Sequence, residues 1–386
     1  MSNSPLLDHL LELRNRLLRA IVVIILVFAA LAYFANDLYR LLADPLIAHL
    51  PEVSVDSIDG RGFVDFRQTL GAAAEIEILA DDCAPALAVP DDVAGGTGVL
   101  KAQAACPFQA FARYRLGADP LEIPVPGLNP ADRGTLAHYA LELVWQRVKD
   151  HATLLANTAG QQDMIVSEAV TEAVRDMAAK KPDTFTQRFT AMETDRLQAL
   201  VGQWLEVDKQ RLPFTVAVCE QQMIVGIAGL RFTTYADRID RLDDGRLVIV
   251  DYKTGEPKKK DWFTDRIAEP QLPLYSVATS EPVGGVFFAQ VRKGDMKYIG
   301  IADDEAIVPG VKSVADSGGY LADYGSIAEI VADWQGRLQV LSRELQQGRA
   351  AVAPASVRTS CRYCHLDPLC RIGEYTFLEN DTGSTQ

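Results

Sequence analysis

Short apolar runs and longer helical periodicities alternate along this chain. Leu247-Val248-Ile249-Val250 is β-branched and bounded by Asp244-Gly245 before and Gly255 after, which predicts a buried strand. Phe214-Thr215-Val216-Ala217-Val218 is a second strand-like run, ended by Glu220. Helical stretches are expected at about 131–157, 162–180 and 187–210 before these strands, and at about 325–347 after them. Near the N-terminus, Ala20 to Ala35 gives sixteen residues without a charge, short of the roughly 20 that a spanning helix needs. Counting Leu17 and Leu18, with Arg19 snorkelling, reaches the lower end of that range. No small-residue cleavage site follows, so a signal peptide is not expected. Asp, Gly, Pro and Ala dominate 81–96, so 54–96 reads as a linker interrupted by a short helix around Phe66–Leu79. Residues 376–386 read as a disordered tail.

The chemistry gathers at Asp251-Tyr252-Lys253, which closes the Leu247 strand. Alternation along a strand sends Asp251 and Lys253 one way and Tyr252 the other. Upstream, Asp237-Arg238-Ile239-Asp240 precedes a turn at Asp243-Asp244-Gly245. The resulting hairpin brings Asp237 or Asp240 across from Asp251. Two carboxylates so close repel unless a cation lies between them, and hard oxygen ligands suit Mg²⁺ or Mn²⁺. Such a metal beside the Lys253 ammonium suits phosphodiester cleavage. An isolated D-x-K is nevertheless more often a surface ion pair.

Other residues change that balance. Gly134-Thr135-Leu136-Ala137-His138 opens a helical stretch, and Gln271 and Tyr275 stand four apart on one helix face about twenty residues after the D-Y-K. In this order, G-x₃-H, the acidic hairpin, D-Y-K and Q-x₃-Y resemble the RecB-type branch of the PD-(D/E)xK nucleases. The resemblance covers about residues 98–373. It implies an α/β restriction-endonuclease-like core, a mixed sheet flanked by helices and carrying helical insertions, over about 97–375. It implies that His138, Asp237 and Asp251 bind metal, with Asp240 the alternative hairpin carboxylate, and that Lys253 is the catalytic lysine. Gln271 and Tyr275 are expected to contact substrate or support the site, with Glu220 as a further acidic residue. The activity implied is a Mg²⁺-dependent deoxyribonuclease, exo- or endonucleolytic, in DNA repair or recombination. A DNA-binding scaffold that has lost cleavage is the second class.

The cysteines extend the resemblance. Cys361, Cys364 and Cys370 form C-x₂-C-x₅-C, and Cys106 lies far upstream. This is similar to the AddB-type iron–sulfur nucleases, which implies that the four thiolates ligate a 4Fe–4S cluster. Joining positions 255 residues apart (361 minus 106) restricts the chain strongly, so the cluster's role would be structural. A Cys₄ zinc site is the main rival. Cys83 and Cys219 are left as ordinary thiols, Cys219 in a strand, and His365 as loop. No G-x₄-G-K-[ST] occurs, so unwinding is not expected to be intrinsic. A helicase subunit acting in trans joins DNA as an expected partner.

The formal charge is −14, so contact with phosphates needs local basic patches. Candidates are Lys258-Lys259-Lys260 with Arg266, then Arg358, Arg362 and Arg371, and Arg113 with Arg115. Residues 1–53 tell a different story. Leu6-Leu7-Asp8-His9-Leu10-Leu11-Glu12-Leu13-Arg14-Asn15-Arg16, with Tyr33-Phe34-Ala35-Asn36-Asp37 and Ala43-Asp44-Pro45-Leu46-Ile47, resembles the N-terminus of the TatC family, membrane subunits of the twin-arginine translocase. A remnant translocase component is thus a third class. Basic residues before the apolar run favour an N-in helix, which would carry the nuclease motifs out of the cytoplasm. Three resolutions follow in order: an accidental fusion, a helix associated with membrane through 17–35 without crossing it, or a true anchor. The expected location is cytoplasmic.

Overall fold

The computed structural model describes residues 82–119 and 125–373, together with Ile21. The apolar run 20–35 (Ile21 apart), the helix expected near Phe66–Leu79 and the tail 376–386 lie outside the described residues. The chain divides into Met1–Leu79 and Ala80–Gln386, and every strand and helix named here belongs to the second unit.

Six strands make one mixed sheet: β1 (Asp91–Val93), β2 (Phe214–Ile227), β3 (Leu230–Leu242), β4 (Leu247–Lys253), β5 (Val283–Gln290) and β6 (Lys297–Ala302). Long β3 is the hub. It pairs antiparallel with β2 along its length and with β4 near its end, and its start pairs parallel with β1. The β3–β4 hairpin turns at Gly245, whose φ of 89° only glycine adopts without strain. β4 and β5 run parallel, Lys253 opposite Gln290. Parallel neighbours need a crossover, supplied by α7 (Gln271–Ala278).

Helices cover both faces. Ahead of β2 come α1 (Gly96–Ala105), α2 (Pro107–Tyr114), α3 (Pro130–Val148), α4 (His151–Ala156), α5 (Ala159–Lys180) and α6 (Gln187–Asp208). After β6 come α8 (Ile327–Gln346), α9 (Val357–Ser360) and α10 (Asp367–Cys370). Strand alternation divides the core. Val248, Val250 and Tyr252 pack with Trp145 of α3, Val170 of α5 and Trp204 of α6. Leu247 and Ile249 pack with Leu100 of α1, Leu274 of α7, and Trp334 and Leu338 of α8.

Three boundaries differ from expectation. The stretch 131–157 breaks at Lys149, where φ is 68°, and Asp150 caps α4 by accepting from the Thr153 amide at 2.6 Å. β2 does not end at Glu220 but passes through it with φ at 45°. Residues 82–96, expected as the end of a linker, are part of the fold. Ala84 N donates to Gly348 O and Ala350 N to Asp82 O, each at 2.7 Å, and β1 joins the sheet. These bonds tie positions more than 130 residues apart, which local composition does not register.

Candidate active site

Asn129 and Asp132 form a reciprocal capping box that starts α3, with Pro130 in its first turn. Leu141, Val144, Trp145 and Val148 face the core, and His138 lies one turn before Leu141 on that side. Its Nε2 donates to the carbonyl oxygen of Tyr252 at 2.8 Å. That bond leaves Nδ1 facing two carboxylates, Asp237 Oδ2 at 3.3 Å and Glu220 Oε1 at 3.5 Å. The ligand atoms of His138, Glu220 and Asp237 all lie within 4.8 Å of one another, the one such group of three among the described residues.

The hairpin register selects the acidic partner. Arg238 opposes Val250, so Arg238 and Asp240 share the face of Tyr252 while Asp237 shares that of Asp251. Asp237 Oδ2 accepts from the Tyr252 amide at 2.8 Å. Asp240 is not brought to this site. It is fully buried on the other face, accepting from Arg211 at 2.7 Å and twice from Arg238, at 2.7 and 2.8 Å. Asp208 joins them, accepting from Arg238 at 3.0 Å, and the Arg238 guanidinium lies 3.8 Å over the Trp145 ring. The repeated acidic spacing of Asp237-Arg238-Ile239-Asp240 hides two environments on opposite faces of one strand.

Asp251 is wholly buried; its Oδ2 lies 2.6 Å from Lys253 Nζ, and Oδ1 has no hydrogen-bond partner. Lys253 also donates to Gln271 Oε1 at 3.4 Å. Tyr275, one turn along α7, shares a hydrogen bond with Thr234 Oγ1 at 2.9 Å and donates to the carbonyl of Tyr235. It therefore fixes β3 just ahead of Asp237, a supporting position. Glu220 reaches the site because the left-handed kink in β2 turns it there. Glu269 is absent from the expected set. It raises the electrostatic load on both Asp251 and Lys253 and pairs with Lys101 across the cleft. Its place two residues before Gln271 is the only sequence signal for it.

Burial opposes the charge on His138, but Glu220, Asp237 and Asp251 outweigh it and raise the ring to about 9. Burial, then Asp251, pushes Asp237 up to about 8. Burial raises Asp251 as well, against the pull of Lys253. Burial disfavours the Lys253 ammonium, yet Asp251 more than offsets it, so the lysine is held above its ordinary value. Three carboxylates thus face two cations in a site largely shielded from water. A divalent cation suits that surplus: the donors are carboxylate oxygens and an imidazole nitrogen, and Asp251 Oδ1 is left without a partner. The His138 tautomer fits too, since a metal-binding histidine commonly gives its other N–H to a carbonyl.

Among the cysteines, Cys106 is the buried residue before α2, Cys361 directly follows α9, and Cys370 ends α10. Phe108 N donates to Ala351 O at 3.0 Å, Ala355 N to Ala105 O at 2.8 Å, and Arg113 Nη2 to Cys364 O at 2.9 Å. Burial raises the Cys361 thiol, and Cys364, Cys106 and Cys370 raise it further. His365 sits between them in a left-handed turn, φ 56°. Cys219 lies in β2, its thiol pushed up to about 12 by burial, and Cys83 is exposed. Two expected phosphate-binding residues are committed to protein: Arg113 as above, and Arg266 to Gln103 O at 2.7 Å and Glu344 at 3.0 Å.

No helix of the described residues is long and apolar enough to cross a membrane. Residues 8–112 match the TatC family, described as Sec-independent protein translocase protein. TatC of Haemophilus influenzae is 54% identical over 50 residues, covering 13% of this chain and 20% of the relative. TatC of Escherichia coli K12 is 54% identical, with 13% and 19% covered. The chain spans about a fifth of the length of these curated relatives. The likeness to individual relatives is thus confined to a stretch about as long as the TatC-like segment 1–53, although the family match runs on into α2. An ATP-dependent helicase/deoxyribonuclease subunit of Acetivibrio thermocellus is 26% identical, covering 73% of this chain and 30% of the relative. Residues 98–371, well over half of the chain and the whole of the His138–Asp237–Asp251–Lys253 constellation, match one further family. On that match the chain belongs to the PD-(D/E)XK nuclease superfamily.

Proposed function

We propose that this chain is a metal-dependent deoxyribonuclease that hydrolyses phosphodiester bonds at the His138–Asp237–Asp251 site, acting in DNA repair or recombination. The observation that carries the reading is Asp251: a fully buried carboxylate with an unpartnered oxygen, beside a lysine held protonated. Asp237, Asp251, His138 and Glu220 would hold Mg²⁺ or Mn²⁺. The ion supplies positive charge against the phosphate and acidifies nearby water. The residues divide the remaining work. His138 is oriented by the Tyr252 carbonyl, and Asp237 by the Tyr252 amide, so one residue's backbone sets both. Lys253, raised rather than lowered, is a cation at neutral pH. It serves to offset developing phosphate charge or orient water, not as a general base. Gln271 holds the ammonium, and Tyr275 steadies β3.

The four cysteines are assigned a structural 4Fe–4S cluster. The hydrogen bonds that join 105–113 to 351–364 support that reading, since they tie the segment around Cys106 to the C-terminal cysteine loop. A Cys₄ zinc site is the alternative for the same four residues. By likeness to a helicase/deoxyribonuclease subunit, a helicase acting in trans is the proposed partner and DNA the substrate, in the cytoplasm. Membrane association through 17–35 is retained as a proposal from the TatC-like segment. Acid-soluble release from DNA, requiring Mg²⁺ and stopped by EDTA, tests the activity; intact DNA under both conditions would reject it.

A further inference from the structure

A second cleft, of about 360 Å³, borders Thr254, the residue after the D-Y-K, and is lined by Arg133, Arg196, Arg292 and Lys293. None of the four belongs to the basic runs that stand out in the sequence, because they come from three separate segments. The parallel pairing of β4 with β5 brings them together. Lys253 opposes Gln290, and Val291 N donates to Lys253 O at 2.8 Å, so Arg292 and Lys293 emerge beside Thr254 at the same edge of the sheet. The first turn of α3 contributes Arg133, and α6 contributes Arg196.

The four differ in availability. Arg196 is held by Glu193, a buried carboxylate. Arg292 pairs with Glu256, but both side chains are about half exposed or more, so water and salt weaken that pair. Arg133 and Lys293 are exposed and have no side-chain partner among the described residues. Leu200 and Val291 add apolar surface between the charges. A chain with a formal charge of −14 has here a local surplus of positive charge, continuous with the residue that follows the D-Y-K.

We infer that this cleft carries the sugar–phosphate backbone of the nucleic-acid strand whose scissile phosphate lies at Asp251 and Lys253, with Arg133, Arg292 and Lys293 contacting successive phosphates. This rests on the nuclease reading and adds a direction to it: the strand leaves the site across Thr254 between α3 and the end of β5.

The test is binding of a fluorescein-labelled single-stranded oligodeoxynucleotide to the full chain in EDTA, across a salt series, for wild type and Arg133→Ala/Lys293→Ala. Circular dichroism and Tm confirm that the exposed pair leaves the fold intact. Loss of two phosphate contacts should weaken binding on the order of tenfold and flatten the salt dependence by about 1.4 in log–log slope. Equal affinity and slope in the two proteins would overturn the cleft assignment alone, provided wild type cleaves and Asp251→Asn does not. A wild type that neither binds nor cleaves would overturn the cleft and the nuclease reading together.

Discussion

His138 Nε2 and the carbonyl oxygen of Tyr252 meet at 2.8 Å, a bond that joins the middle of a helix to the D-Y-K strand. Because the carbonyl can only accept, the ring's other nitrogen is left to the carboxylates. Without metal, Nδ1 carries a proton shared electrostatically with Glu220 and Asp237; with metal, that proton must leave.

The pH dependence follows from this exchange. His138 rises from an ordinary 6.5 to about 9, and Asp237 from 3.8 to about 8. Both bind protons in the folded state that the unfolded chain has already lost. Between pH 6.5 and 8 the metal-free protein therefore loses stability as pH rises. The histidine's favourable contribution fades through 9, while the cost of the buried Asp237 charge grows toward 8. Mg²⁺ competes with those protons, so the Tm gain from Mg²⁺ over EDTA should be larger at pH 9 than at pH 6. A gain that shrinks with rising pH would contradict a metal bound by these groups.

Arg238 anchors the other side of the same strand. It donates to Tyr252 Oη at 3.1 Å as well as to Asp208 and Asp240. Burial opposes the Asp208 charge, but Arg238 and Arg211 outweigh it and hold the carboxyl below its ordinary value. Arg238→Ala strands carboxylates in the core and should cost about 3–5 kcal/mol in urea unfolding. Tyr252→Phe removes one bond and should cost about 1 kcal/mol. Equal costs would show that the network is not centred on the arginine.

How much of this is legible in the sequence varies by element. The helices at 162–180, 187–210 and 325–347 follow from periodicity alone, and each lies within a few residues of α5, α6 and α8. The Asp237–Asp251 hairpin is legible because its turn carries the glycine that its φ demands. Asp237 and Asp240 cannot be separated in sequence, since the choice depends on whether Arg238 or Ile239 faces Val250's side, and only register decides that. The Asp208–Arg211–Arg238–Asp240 network is invisible for the same reason. Its members read as ordinary polar residues until α6 lays Asp208 against β3. Glu220 reads as a strand end because a charged residue interrupts an apolar run. The strand in fact continues, and the kink delivers the carboxylate.

The cysteine proposal makes a chemical prediction. Protein prepared without oxygen should contain iron and sulfide and absorb in the visible range, and Cys106→Ser and Cys370→Ser should each lose iron. Both variants should also melt at lower temperature, because Cys106 and the C-terminal loop are joined through Phe108, Arg113 and Ala355. Stoichiometric zinc without iron would replace the cluster with a Cys₄ zinc site.

Cleavage of DNA in Mg²⁺ by wild type, Asp251→Asn and Lys253→Ala bears most directly on the site itself. The buried Asp251 carboxylate and the raised Lys253 ammonium are expected to be indispensable. Both variants should fold, and each should lose on the order of a hundred- to a thousand-fold in rate or more. Cleavage retained at the wild-type rate in both would place the chemistry elsewhere in the chain.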